Sequence, residues 1–160
     1  MARISAFGGT DGETLTLTIA EQLTIDGRDY GSRQTLTIPN IVDVTRRLVT
    51  VTTTEATILT FSGVVGAGNY IVGDTMYMRF TNLDDTNHIV LTFANGNDNE
   101  FAIKLDKGHS FMIIGDVAGG MVAMMDANGS ALSLDLDNMK SVTADADDDD
   151  VDLEMYIACK

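Results

Sequence analysis

Two histidines, His88 and His109, are the side chains of this 160-residue chain whose ordinary pKa lies nearest neutrality. Either could serve as a general base. Such a base needs an activated nucleophile beside it and a carboxylate to orient it, and no nucleophile motif accompanies either histidine. They read as ordinary turn or strand-edge residues. A zinc site would need three or four convergent ligands, but His-x-His spacing is absent and Cys159 is the single cysteine. That lone thiol also excludes an internal disulfide framework and has no obvious activating neighbour. The stretch Gly63-Val-Val-Gly-Ala-Gly68 has the glycine density of a phosphate loop. It lacks Gly-Lys-Ser/Thr and no helical pattern follows it, so it reads as a connection between strands.

The acidic run Asp145, Asp147, Asp148, Asp149, Asp150 and Asp152 is the strongest local anomaly. Its oxygen-only chemistry would suit Ca²⁺, with Asp145, Asp147 and Asp149 as candidate ligands. An EF-hand loop starting at Asp145 would require glycine at position 150 and glutamate at position 156, where the chain has Asp150 and Tyr156. A solvated loop is therefore the favoured reading, with Asp84 and Asp85 a smaller instance of the same pattern. No cofactor is expected. Met76, Met78, Met112, Met121, Met124 and Met125 fall in or beside apolar runs, where methionine fills core gaps more often than it forms an adaptable binding surface.

With 10 Lys+Arg against 24 Asp+Glu, the chain carries a formal charge of −14. That balance argues against nucleic acid, whose phosphates need clustered lysine and arginine, and against anionic membrane surfaces. A hydrophobic fraction of 44% still supports a packed core. No apolar run approaches the roughly 18–20 residues of a membrane span. The first residues, Met-Ala-Arg-Ile-Ser-Ala-Phe-Gly-Gly, offer no stretch suited to a signal peptide, so use without Sec export is expected.

The elements that would position these residues are strands. Leu15, Leu17 and Ile19 alternate with Thr14, Thr16 and Thr18, the period of a half-buried strand. The pattern loses a beat at Ala20–Gln22, which predicts a bulge or a break, and resumes at Leu23 and Ile25. Asp26-Gly27 is a hairpin-turn signal. Leu36 and Ile38 predict a strand ended by Pro39-Asn40. Ile41, Val44 and Leu48 share a helical spacing, while Val42 and the valines that follow fit a strand equally well. Further strands are predicted around Ile58–Ser62, Thr75–Thr81, Ile89–Phe93, Phe101–Leu105, Ser110–Ile114 and Val151–Ala158. The polar connections Asp116–Gly120 and Asp126–Gly129 separate others. The 19 threonines suit pleated surfaces. Short strands separated by turn chemistry predict an all-β, single-domain antiparallel β-sandwich, jelly-roll-like, over 14–160, preceded by an N-terminal arm over 1–13.

Several segments together resemble small β-sandwich virion proteins of tailed phages, especially of marine cyanophage type. They are Thr35-Leu-Thr-Ile-Pro-Asn-Ile-Val-Asp-Val-Thr-Arg-Arg-Leu-Val-Thr-Val, Thr57-Ile-Leu-Thr-Phe and Ala67-Gly-Asn-Tyr, then Met76-Tyr-Met-Arg-Phe-Thr-Asn-Leu-Asp, Asn87-His-Ile-Val-Leu and Phe101-Ala-Ile-Lys-Leu-Asp-Lys-Gly-His-Ser-Phe-Met-Ile. Their order spans residues 35–114 and contains no catalytic signature. The resemblance implies a non-enzymatic virion protein assembled in the host cytoplasm. Its partners would be the major capsid protein or other virion proteins and further copies of itself, with a trimer as one natural unit. A head decoration (cement) protein is the leading expectation, with the N-terminal arm around Ile4 and Phe7 as the expected interface. A tail adaptor or fibre-base component is the second. A jelly-roll glycan-binding module, with or without Ca²⁺, is the third, disfavoured by the absence of Trp.

Overall fold

A computed structural model describes residues 12–96, 99–115 and 139–160. The alternating segments form β1 (Glu13–Glu21), β2 (Thr24–Ile25), β3 (Arg28–Asp29), β4 (Ser32–Ile41), β5 (Asp43–Val51), β6 (Ala56–Phe61) and β7 (Asn69–Tyr70). They continue as β8 (Thr75–Asn82), β9 (Ile89–Asn95), β10 (Glu100–Leu105), β11 (Ser110–Ile114), β12 (Met139–Ala146) and β13 (Val151–Cys159). One 3-10 turn, Val72–Asp74, is the only helical element among the described residues. Ile41–Leu48 is therefore extended, with Ile41 ending β4 and Asp43–Leu48 in β5, which resolves the helix-or-strand alternative. Arg46 and Leu48 point away from the core while Val49 and Val51 point into it, the period of two.

Two antiparallel sheets face each other in the orders β11-β8-β13-β5 and β10-β9-β12-β6, and β7 lies parallel to β6 on the edge of the second. With β7 set aside, the first sandwich strand pairs with the last and each later strand with the next one in. The pairs are β5 with β13, β6 with β12, β8 with β11 and β9 with β10. This nested pairing, a ribbon of two strands wrapped on itself, is the order of a jelly roll. The expected all-β antiparallel sandwich is what the chain forms.

Inward-facing residues of both sheets fill the interior, among them Met78, Phe80, Leu153, Met155 and Ile157 from one and Leu91, Phe93, Val142 and Ala144 from the other. Each of the larger of these side chains contributes about 1.5–3 kcal/mol by leaving water. Phe93 is the aromatic centre. It meets Phe80 at 5.8 Å and Phe111 at 5.6 Å edge-to-face, and stacks on its cross-strand partner Phe101 at 4.8 Å. Met76 and Met78 are core fillers, whereas Met112 is 36% exposed. Met121, Met124 and Met125 lie outside the described residues, as do the connections expected at Asp116–Gly120 and Asp126–Gly129.

At one open edge of the sandwich, Arg47 of β5 reaches between the sheets and donates to the Ile58 carbonyl of β6. Gly68 makes room for that guanidinium: a Cβ there would lie 3.3 Å from it, and the backbone at φ +75° favours glycine in any case. The glycine-rich stretch 63–68 is thus a shaped connection. Gly66 and Asn69 close it with paired backbone hydrogen bonds, and Asn69 Nδ2 donates to Ser62 Oγ.

Residues 13–41 stand outside the sandwich as one long hairpin. Glu21 pairs with Ser32, Thr24 with Asp29 and Ile25 with Arg28 in a single continuous register. Of the two alternatives predicted at Ala20–Gln22, the break occurs, since β1 ends at Glu21 and β2 begins at Thr24, but without a bulge, because the register is the same on both sides. Leu15, Leu17, Ile19, Leu23 and Ile25 keep one parity throughout, and Glu21 is simply a polar residue on the same face. The turn Asp26-Gly27 has φ +50° and +76°, the two positive values of a type I′ turn. At the other end β4 does not stop at Pro39. A bulge opposite Glu13–Leu15 places Asn40 at φ +62°, absorbs the missing proline donor and lets pairing resume at Ile41.

Candidate assembly interface

Strand parity divides the hairpin into two unlike faces. One carries Thr14, Thr16, Thr18, Thr35 and Thr37, with Thr16 opposite Thr37 and Thr18 opposite Thr35. The other carries Leu15, Leu17, Ile19, Leu23 and Ile25 on the first strand and Tyr30, Leu36 and Ile38 on the second, with the polar Glu21, Arg28, Ser32 and Gln34 among them. Near the base this apolar face is covered. Ile38 and Ile41 are buried with Met76, Tyr77 and Ala158, and Leu15, Leu17, Ile114 and Tyr156 pack against them. Further out the cover ends. Ile19 and Leu36 are each 39% exposed, Ile25 51%, Leu23 53% and Tyr30 56%. A two-stranded hairpin is marginal in water by itself, so these exposed apolar side chains are an unusual feature of the surface.

The base of the hairpin leans on the outer face of the sheet β11-β8-β13-β5, where a charged network organises the surface. Glu154 on β13 receives hydrogen bonds from Arg46 Nε at 2.8 Å and from Arg79 Nη2 on its second oxygen. The Arg46 hydrogen bond, followed by the two guanidinium charges, holds the Glu154 carboxyl below the usual carboxylate range. Arg79 lies over the Tyr156 ring at 5.8 Å, and Tyr156 meets Tyr77 edge-to-face at 5.8 Å. Burial raises the Tyr77 hydroxyl pKa. Leu15 and Leu17 close over these residues and leave a shallow cleft of about 270 Å³. Beyond it, β5 presents Val44 at 47% and Leu48 at 62% exposure on the same outer face.

The opposite end of the sandwich is acidic. The connections 52–55, 83–88, 106–109 and 147–150 gather there. They bring eight carboxylates against one lysine, Lys107. Buried Asn82 ties them together: its Nδ2 donates to the carbonyls of Asn87 at 2.9 Å and Leu105 at 3.1 Å, and its Oδ1 accepts from Asp84 N. Asp84 caps its own turn by accepting from the backbone N–H groups of Thr86 and Asn87, which lowers its pKa. His88 Nδ1 lies 2.6 Å from Asp147 Oδ2. His109 is exposed and contributes its carbonyl to Asn82 N.

The predicted site residues are distributed as follows. Asp145 lies in β12 paired with Val90, Asp147 turns to His88, and Asp149 accepts from Asp150 N. Among the described residues no group of three or more His, Cys, Asp or Glu is disposed to hold a metal. Ile4 and Phe7 lie outside the described residues. Cys159 is half-buried beside Thr75, and burial raises its pKa. The exposed stripe Ile19, Leu23, Ile25, Tyr30 and Leu36 is absent from the sequence expectations. The signal for it was the unbroken parity on both sides of Asp26-Gly27. The Arg46–Glu154–Arg79 network had no local signal, because its members are 108 and 75 residues apart in sequence.

No family model matches the chain, and no curated protein matches it in sequence. A chain of the solved structure "Bacillus endospore appendages form a novel family of disulfide-linked pili" is similar over 99% of this chain and 98% of that one, at 12% identity and a TM-score of 0.41. At that level the likeness assigns neither a family nor a function.

Proposed function

We propose that this protein is a non-enzymatic structural subunit, and specifically a decoration protein on the head of a tailed-phage particle. The observation that carries the structural reading is the projecting hairpin, half of whose apolar face is built into its own subunit while the rest is left bare. A subunit that meets neighbours gains cover for it. The charge distribution supports the same reading. The hairpin joins the jelly roll at the end away from the acidic loops, so like-charged loops can face solvent while the hairpin end meets the assembly. The particular particle rests on the resemblance of residues 35–114 to virion β-sandwich proteins. Binding only to the assembled shell would stabilise that shell by mass action, without any chemical step.

Quantitative mass spectrometry of purified particles, with immunogold labelling for position, tests this. Hundreds of copies over the head are expected. About a dozen at the tail would move the same subunit to the adaptor or fibre-base reading, and absence from particles would overturn the virion assignment.

A further inference from the structure

We propose that the bare stripe Ile19, Leu23, Ile25, Tyr30 and Leu36 docks on the outer β5–β13 face of a second copy of this chain, against Val44, Leu48 and Arg46. The inference deepens the structural reading and rests on it. Three observations choose a second copy as the occupant.

The first is area. Five large side chains at 39–56% exposure present on the order of 500 Å². With a matching area on the receiving sheet, one junction reaches the roughly 1,000 Å² that a specific interface needs. The second is charge. A protein of net charge −14 resists self-association over most of its surface. The outer sheet face is an exception, being close to neutral: Arg46, with its side chain 69% exposed, and Arg79 both pair with Glu154, and exposed Asp152 further along β13 bonds to Thr50. The stripe brings Glu21 towards the exposed Arg46, since Glu21 lies on the same hairpin face between Ile19 and Leu23. The third is chemistry already displayed within one subunit. Leu15 and Leu17, on the same hairpin face, pack beside Tyr156 and line the cleft with Arg46 and Arg79. The stripe repeats that contact further along the hairpin. From Ile19 to the turn it spans roughly 20 Å at the usual strand rise, enough to reach a neighbour. Each copy then carries one donor stripe and one receiving face, so a closed ring or a dimer covers them all.

The test is sedimentation velocity of the full chain over a range of concentrations. Two variants change only exposed positions: Leu23→Glu with Tyr30→Glu in the stripe, and Leu48→Glu on the receiving face. The native chain is expected to form a discrete oligomer. Each variant should weaken association by about tenfold or more while melting like the native domain. An equimolar mixture of the two variants should recover a heterodimer, because one intact stripe and one intact face remain. A native chain that stays monomeric, or variants that associate as the native chain does, would overturn the proposal. The outcome for the structural reading is separable. Monomers that co-sediment with particles would overturn the second-copy interface alone, and oligomers absent from particles would overturn the particle role alone.

Discussion

Glu154 is the residue on which the outer sheet face turns, since it alone stands between Arg46 and Arg79 there. Replacing it with glutamine leaves two guanidinium groups facing each other over Tyr156. Glu154→Gln is expected to lower stability by about 1–2 kcal/mol, read from urea unfolding at neutral pH. Glu154 and Asp84 both ionise more readily in the folded chain than in the unfolded one. Their contribution is therefore present above the ordinary carboxylate range and is lost as pH falls through the lowered folded values. Thermal melts from pH 6 down to about pH 2 should show the native chain losing stability in that acidic range, and the Glu154→Gln chain losing less. Equal losses would remove Glu154 from the account. Asn82 makes a contrasting case. It is fully buried and bonded to three backbone groups, two in the 83–88 connection and one at the end of β10, so Asn82→Ala strands those groups and should cost about 1–3 kcal/mol. Neither role was legible in the sequence. A glutamate in Leu-Glu-Met and an asparagine in Thr-Asn-Leu look like ordinary strand residues until distant segments supply their partners.

Elements were far more legible than their partners. Alternation predicts Ser110–Ile114 with the bounds of β11, and Thr75–Thr81, Ile89–Phe93 and Phe101–Leu105 lie within a residue or two of β8, β9 and β10. Alternation is a local signal, so it survives without knowledge of the fold. The nested pairing of the jelly roll depends on contacts across the whole chain and left no such trace. The bulge at Pro39–Asn40 misled for a definite reason: proline cannot donate to a ladder, but a bulge removes the need for the donor. Because the sandwich is closed around Phe93, its stability should be nearly independent of the hairpin tip. Phe93→Ala is expected to cost about 3–5 kcal/mol, while Leu23→Ser and Tyr30→Ser should leave the melting of the free chain within about 0.5 kcal/mol of the native value. Comparable losses from the tip substitutions would mean that the stripe is covered within its own subunit.

Among the described residues the molecule is polarised, with eight carboxylates in the connections at one end of the sandwich and a hairpin with exposed apolar side chains leaving from the other. Crowded carboxylates repel, and salt screens them. The melting temperature should rise as NaCl increases from about 0.05 to 0.5 M, where the Debye length falls well below the span of the acidic loops. Calcium at low millimolar concentration should add nothing beyond magnesium at the same ionic strength. A large calcium-specific shift would favour the ligand-binding jelly-roll module instead. The central claim is that the hairpin is finished only by assembly. Hydrogen–deuterium exchange compares the dilute free chain with the assembled form most directly. Amides of the tip, Leu23 to Tyr30, are expected to exchange quickly in the free chain and to become strongly protected on assembly, while the sandwich strands stay protected in both. Tip exchange that is equally fast in both states would contradict the account.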